Sequence, residues 1–458
     1  MKVIVCGAGQ VGYNIARYLA HEDNDVVVID HSNELTRKIS DTLDVKAITG
    51  FASEPAVLEQ AGAADADLLI AVTQADEVNM VACQIAHSLF DITTKIARIR
   101  NQGYLDPKWG NLFTRDNMPI DVIISPEREV ARAVSSRLRV PGAFETISLV
   151  EDKVKLVGVR CEEDCPVVNT PLRQLTQLFP ELNVLVVGIV RDQNKFIPSG
   201  EDQLSAGDGV YLVVDSAHVQ RAMSAFGHDE IEARRIVIFG GGNIGLFLAQ
   251  QIEEEDPTIN IKVVEADKTK AETAARNLKR SVVLQGDVLD QEIMEEANVG
   301  TAEAVIAVTN DDETNILASL LAKRAGSRRA ITLVNNSAFE PIIPSLGIDV
   351  LVSPRNITVS TILQHVRRGR IHSVHTLQEG FGELIEAEAM ETSSLVGVPL
   401  KEASLPEGVL VGAIVRDDEV TMPRGSTVVS VNDRVVLFAA NESVKQVEQL
   451  FSVGLEFF

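Results

Sequence analysis

Two glycine clusters raise the question of chemistry. Gly7, Gly9 and Gly12 lie in KVIVCGAGQVG, and Gly240, Gly242 and Gly245 lie in RIVIFGGGNIG. In each, a short β-branched run precedes the glycines and an amphipathic stretch follows. That order of strand, turn and helix is what a dinucleotide cradle requires. The first glycine permits the tight turn, the second lets backbone approach a pyrophosphate, and the third lets helix pack against strand. The helix start then offers free N–H groups and a positive dipole end to phosphates. Ala8, Gln10 and Val11 complete the first loop, and Gly241, Asn243 and Ile244 the second. About twenty residues on, the next apolar run ends on an acid in both copies, Asp30 and Glu265. A carboxylate there accepts hydrogen bonds from a ribose diol and repels a 2′-phosphate. The following residues, His31 and Ala266, supply no Arg for such a phosphate. NAD(H) is therefore favoured over NADP(H), and ADP or ATP fits the same cradle.

Further candidates stand where later strands end. Thr73 and Gln74 follow one apolar run, and Thr309 follows its counterpart. Both threonines are placed to close over a pyrophosphate or ribose; the alternative is a helix N-cap, with Asp76 and Asp312 in the first turn. Arg98, in IARIRN, is placed to clamp phosphate or to form a surface ion pair, and the second copy has Leu333 in that stretch. After the third strand the copies diverge again, with Gly50-Phe51 in one and Gly286-Asp287 in the other. Asp287 can accept from an adenine amino group, whereas Phe51 can only stack.

The elements that must position these residues repeat along the chain. ITGFASEPAVLEQAGAADADLLIAVTQADEVN at 48–79 aligns with LQGDVLDQEIMEEANVGTAEAVIAVTNDDETN at 284–315. The segments 184–214 and 409–439 also align, so the duplicated unit is longer than one nucleotide fold. Alternating strands and helices predict two Rossmann-like, doubly wound parallel sheets. Short β-branched runs with turn signals predict a small, mainly antiparallel α+β module after each. The expected α/β organisation is Rossmann-like domains at 1–140 and 232–365, with small domains at 141–227 and 366–458. Pro141-Gly142 and the stretch from His228 to Arg235 read as joints.

Composition narrows the function. The 458 residues carry a formal net charge of −24, which disfavours nucleic acid and anionic lipid, since both are bound through Lys and Arg. No apolar run approaches the length of a membrane span, and the start reads as a first strand rather than a signal peptide. Membrane association is therefore expected through a protein partner, without direct lipid insertion. Four cysteines are too few for a disulfide framework, and Cys161 and Cys165 read as reduced thiols. No metal set forms around His365, His372 and His375. Lys323-Arg324, Arg328-Arg329 and Arg367-Arg368-Gly369-Arg370 read as charges at helix C-termini, the alternative being contact with an acidic partner loop, and Glu253 to Asp256 as a solvated helix end.

GAGQVG, VVVID, AVTQADEVNMVACQIA, ARIRN and SPE in the first half, with GGGNIG, GD, AVTNDDETN and LAKR in the second, resemble the TrkA family. These are peripheral nucleotide-binding subunits of bacterial Trk potassium-uptake systems. The resemblance spans essentially the whole chain. It implies a cytoplasmic, ring-like homo-oligomer on the inner face of the membrane. That assembly gates a membrane-embedded Trk-type K⁺ transporter subunit in response to NAD(H), ATP or ADP. It also implies a first cradle of Gly7 to Val11, Asp30, Thr73, Gln74 and Arg98, and a second of Gly240 to Ile244, Glu265 and Thr309. An NAD-dependent dehydrogenase is the alternative, but the small modules offer few proton-transfer groups. A DNA-binding redox regulator lacks its basic reading element. No catalytic residue is assigned.

Overall fold

The computed structural model describes residues 1–21, 24–178, 182–192, 194–366, 371–377 and 381–451. The first parallel sheet comprises β1 (Lys2–Cys6), β2 (Asp25–Asp30), β3 (Lys46–Thr49), β4 (Leu68–Ala71), β5 (Thr94–Arg98) and β6 (Val122–Ile124). Its spatial order is β3-β2-β1-β4-β5-β6, the doubly wound arrangement. An antiparallel sheet follows, from β7 (Ala143–Leu149), β8 (Val154–Arg160), β9 (Val184–Arg191), β10 (Asn194–Phe196) and β11 (Gly209–Asp215). The second parallel sheet, in the order β14-β13-β12-β15-β16-β17, repeats the first. Its strands are β12 (Arg235–Phe239), β13 (Asn260–Glu265), β14 (Val282–Gln285), β15 (Ala304–Ala307), β16 (Arg329–Leu333) and β17 (Val350–Val352). A second antiparallel sheet closes the series: β18 (Ile371–Leu377), β19 (Gly382–Glu388), β20 (Val409–Arg416), β21 (Glu419–Thr421) and β22 (Arg434–Ala440).

Strand β1 shows why the parallel sheets read as unbroken apolar runs. Val3 and Val5 face one core while Ile4 and Cys6 face the other, and all four are fully buried. The packing divides the chain into two units. The first comprises Met1–Val130 with Ser353–Val366. Its core takes Ile362, Leu363 and Val366 from the helix Pro354–Val366, which packs on the helix Gln10–His21 and on β6. A first half cut at residue 227 would lose that helix and with it Ile362, Leu363 and Val366 from this core.

The second unit comprises Ala131–Val352 with the residues after 366. Its two antiparallel sheets share a core, with Leu156, Tyr211 and Val213 on one side and Phe381, Leu384 and Phe438 on the other. Each sheet repeats one ion pair. Arg191 donates to both oxygens of buried Asp208 at 2.8 and 2.7 Å, and Arg416 treats Asp433 identically.

Two charged runs do more than the sequence suggests. Arg329 is partly buried and donates to the Arg137 carbonyl at 2.9 Å and to that of Ala143, so it caps the end of the helix Pro126–Leu138. Burial lowers its pKa to about 10. The acidic run is structural, not merely solvated. The Glu253 carboxylate accepts from the backbone N–H groups of Lys279, Arg280 and Ser281 at 3.0, 2.8 and 2.6 Å. Glu255 pairs with Arg139 at 2.6 Å. The run Arg367 to Arg370 lies outside the described residues.

Partial burial opposes ionisation of Glu253, but its hydrogen bonds outweigh that and hold the pKa near 2. A depressed carboxylate pKa stabilises the fold above its ordinary value near 4.5 and loses that contribution as pH falls toward 2. Glu253→Gln should lower stability near neutrality by about 1–3 kcal/mol. It should also flatten the loss of melting temperature between about pH 4.5 and 2, which thermal melts across that range will measure.

Candidate functional site

Both parallel sheets build the same loop system beyond their carboxyl ends. Gly7, at φ +112°, turns the chain out of β1 while its N–H donates to the Ile29 carbonyl at 2.7 Å. Gly12 crosses so close that any Cβ there would overlap the Gly7 carbonyl, and Gly245 stands in the same relation to Gly240. Gly9 and Gly242 are different: a Cβ at either would meet nothing within 4 Å. Their faces are open, as an approaching phosphate needs. Neither the helix Gln10–His21 nor the helix Asn243–Glu255 carries an acid in its first turn. Gln10 and Asn243 are exposed there, while Val11 and Ile244 are half-buried.

The acid at the second strand end holds the glycine loop. Asp30 Oδ2 accepts from the Ala8 N–H at 2.6 Å, and Oδ1 accepts from the Ser32 N–H at 2.8 Å. Glu265 repeats this with Gly241 at 2.7 Å and Asp267 at 2.9 Å. Each oxygen retains a lone pair for a diol, so loop support and ribose contact are compatible roles.

Thr73 is not a helix cap. The helix Asp76–Phe90 begins after Ala75, and the Thr73 N–H and Oγ1 both donate to Asn79 Oδ1, at 2.9 and 2.7 Å. The same amide's Nδ2 donates to the carbonyls of Thr73 and Arg98 at 3.2 and 2.9 Å. Thr309 and Asn315 repeat all four bonds, with Leu333 in place of Arg98. Gln74 is exposed on this loop. Buried Asp76 and Asp312 each gather the N–H groups of the next loop, Arg100 and Asn101 in one copy and Asn335 and Asn336 in the other. Sequence reasoning passed over Asn79 and Asn315. The signal was there: each copy places Asn six residues after its Thr.

Arg98 is brought to this edge but is not a surface ion pair. Its Nη2 donates to the Thr73 carbonyl at 2.7 Å, and among the described residues no carboxylate pairs with it. Its Nε is buried without a hydrogen-bond partner. Desolvation lowers its pKa, Arg100 adds to that, and Glu127 and Asp76 oppose it. A cation with an unsatisfied donor at the edge that carries the glycine loop has the charge to suit an anion. Phe51 is 53% exposed and stacks on His31, with ring centroids 5.7 Å apart and planes 15° from parallel. The second copy has no such ring pair, and Asp287, exposed, accepts from the Leu289 N–H at 2.9 Å.

The TrkA-N domain model matches residues 3–126 and 236–354, and the TrkA-C domain model matches 156–227 and 384–452. The chain belongs to the TrkA family. The Trk system potassium uptake protein TrkA of Azorhizobium caulinodans is 53% identical over 458 residues, covering all of both chains. That of Halomonas elongata is 40% identical over 462 residues, again across all of both. Among solved structures, the GsuK channel bound to NAD matches 98% of this chain and 78% of its own, with a TM-score of 0.60 at 17% identity. That likeness concerns the fold. As a TrkA-family chain, the protein is regulatory and not an enzyme. Consistent with that, Tyr211 is buried between the antiparallel sheets against Phe144 and Phe381. Among the described residues, no helix is long and apolar enough to cross a membrane.

Within each TrkA-N domain the buried asparagine ties together the loops after β4 and β5, or after β15 and β16. Asn79→Ala would strand the Thr73 N–H and the Arg98 carbonyl, which costs about 1–3 kcal/mol for each buried group left unpaired. Asn79→Ala and Asn315→Ala should each lower the melting temperature, and Gln74→Ala, on the exposed part of the loop, should not. Equal melting curves for all three would show that these amides hold nothing together.

Proposed function

We propose that this chain is the nucleotide-responsive, cytoplasmic regulatory subunit of a Trk-type potassium-uptake system. It docks on the inner face of the membrane through a membrane-embedded K⁺ transporter subunit. The observation that carries this reading is the duplicated loop system: two open second glycines, each beside an acid-held loop at a helix start. In the first site, Gly7 to Gly12 receive the pyrophosphate, Asp30 the adenosine ribose and Arg98 a phosphate oxygen. Thr73 and Gln74 line the far side. In the second, Gly240 to Gly245, Glu265, Asp287 and Thr309 take the corresponding places. NAD(H), ADP and ATP share the parts these residues read. The NAD found in the channel of similar fold supports the same ligand class. Ligand occupancy biases the loops at the sheet edge, and the docked assembly passes that bias to the transporter.

Full-length protein titrated with NADH should gain thermal stability, by about 2.7 kcal/mol at 100 times Kd. Asp30→Ala combined with Glu265→Ala should abolish the gain. Arg98→Ala should weaken ATP more than NADH, by about 1.5–3 kcal/mol for a charge-assisted bond, and leave the second site intact. A double variant with an unchanged binding isotherm, or steady NADH oxidation by the pure protein, would overturn the proposal.

A ring-like homo-oligomer has physical support in the helices after β4 and β15. Val81 and Leu89 are 41% and 61% exposed on one, and Leu317 and Leu321 are 50% and 38% exposed on the other. Val81 and Leu317 occupy the same position, two residues past Asn79 and Asn315. A repeated apolar stripe on an acidic chain is suited to burial between copies. Leu317→Glu with Leu321→Glu should shift the assembly to a smaller species in analytical ultracentrifugation while its melting temperature holds.

A further inference from the structure

The first antiparallel module carries a feature that nucleotide sensing does not use. Cys161 follows β8, where its N–H donates to the Asp208 carbonyl at 2.8 Å and its carbonyl accepts from Gly207 at 2.7 Å. The chain then turns back, closed by the Cys165 N–H on the Glu162 carbonyl at 3.2 Å and the Val168 N–H on the Cys165 carbonyl at 3.2 Å. Both side chains enter one apolar cluster, fully buried for Cys161 and 5% exposed for Cys165.

The second module makes the same turn without sulfur. Ala389 bonds to Asp433 at 2.8 Å and to Asn432 at 2.7 Å, the Ser393 N–H reaches the Met390 carbonyl at 2.9 Å, and the Val396 N–H reaches Ser393 at 3.1 Å. Alanine and serine therefore suffice for the fold, and two thiols at these positions are an addition to it. A histidine stands beside them. His228 is 8% exposed, with Nε2 at 2.9 Å from the Arg160 carbonyl and Nδ1 at 3.1 Å from Glu230 Oε1. Both ring nitrogens face acceptors. A hydrogen bond from Cys161 draws the Cys165 thiol toward ionisation against the effect of burial, and the Val167 N–H and His228 reinforce it. The Cys161 thiol, holding the shared proton and buried, is pushed up. Cys165 is the more exposed of the two, which suits it to attack and leaves the fully buried Cys161 to resolve.

We propose that Cys161 and Cys165 are a reversible oxidation site that closes an intramolecular disulfide in response to a hydroperoxide. The Cys165 thiolate attacks the peroxide. An S–O bond forms, the O–O bond breaks, and the alcohol or water leaves with a proton, giving a sulfenic acid. The Cys161 thiol then attacks that sulfur. The S–S bond forms, the S–O bond breaks, and the departing hydroxide takes the Cys161 proton as water. Two thiols are oxidised and one peroxide is reduced. Gly227, whose Cβ position would lie 3.4 Å from the Cys165 Cα, begins the joint into the second parallel sheet, so the bond forms at the root of that joint.

The test uses the full chain, hydrogen peroxide, and alkylation with N-ethylmaleimide after denaturation. Both cysteines fall on one tryptic peptide, Cys161 to Arg173. That peptide should become unalkylated and lighter by two hydrogens, and dithiothreitol should restore two alkylations. Cys6 and Cys83, buried with thiols raised by desolvation, should stay alkylatable throughout. Cys161→Ala should instead give a dimedone adduct at Cys165, and Cys165→Ser should leave Cys161 unoxidised. The double variant Cys161→Ala with Cys165→Ser, which copies the second module, should melt like the parent. If peroxide leaves both thiols alkylatable, or oxidises all four cysteines together, the proposal fails. The wild-type map alone decides this even where a variant misfolds.

Discussion

Backbone groups stranded at the carboxyl edge of a parallel sheet must find partners, and in this protein everything at the proposed sites follows from how they do. A buried N–H or carbonyl left unpaired costs about 1–3 kcal/mol, and each sheet here ends in three consecutive irregular loops. One side chain closes each loop. Asp30 or Glu265 holds the glycine turn, Asn79 or Asn315 holds the threonine loop, and Asp76 or Asp312 holds the loop beyond β5 or β16. These residues fix the backbone against which a nucleotide would lie. Ligand contact is then a further use of groups already committed to structure.

The duplication separates what the scaffold needs from what varies. All three loop-closing positions are kept in both copies, and Glu replaces Asp only where the longer side chain still reaches the same N–H. The differences fall on groups the scaffold can do without. Arg98 becomes Leu333, the stacked His31–Phe51 pair has no counterpart, and the dithiol becomes Ala389 and Ser393. Such positions are where two copies of one fold can acquire different ligand preferences. An unsatisfied Arg98 Nε carries an energetic cost that Leu333 does not.

Much of this was legible before any coordinates. Glycine spacing with flanking apolar runs fixes a strand–turn–helix whose packing needs Gly12 and Gly245, so the parallel sheets followed from sequence. The small modules followed from alternation and turns. Less legible were interactions whose partners lie far apart in the chain. Glu253 looks solvated until the backbone at 279–281 folds onto it. Arg329 looks like a charge for its own helix end, yet it serves the helix Pro126–Leu138. The asparagines were missed for another reason: a polar residue inside a helix reads as surface unless its periodicity places it against the strand ends.

The helix Pro354–Val366 shows that the units of packing do not follow the sequence repeat. It follows β17 directly in sequence, yet Ile362, Leu363 and Val366 are core residues of the first unit. The helix Pro126–Leu138 makes the reciprocal crossing. Its residues from Ala131 onward belong to the second unit, where Ser135 donates to Glu255 at 3.0 Å and Arg329 binds the Arg137 carbonyl at 2.9 Å. Each unit is therefore completed by a segment continuous with the other's sheet. β6 and β17 lie at the ends of their sheets, beside the strands that carry Arg98 and Leu333. Each crossing helix follows directly on one of these edge strands. A chain cut between its halves would therefore take Ser353–Val366 from the first unit and the residues from Ala131 onward from the second.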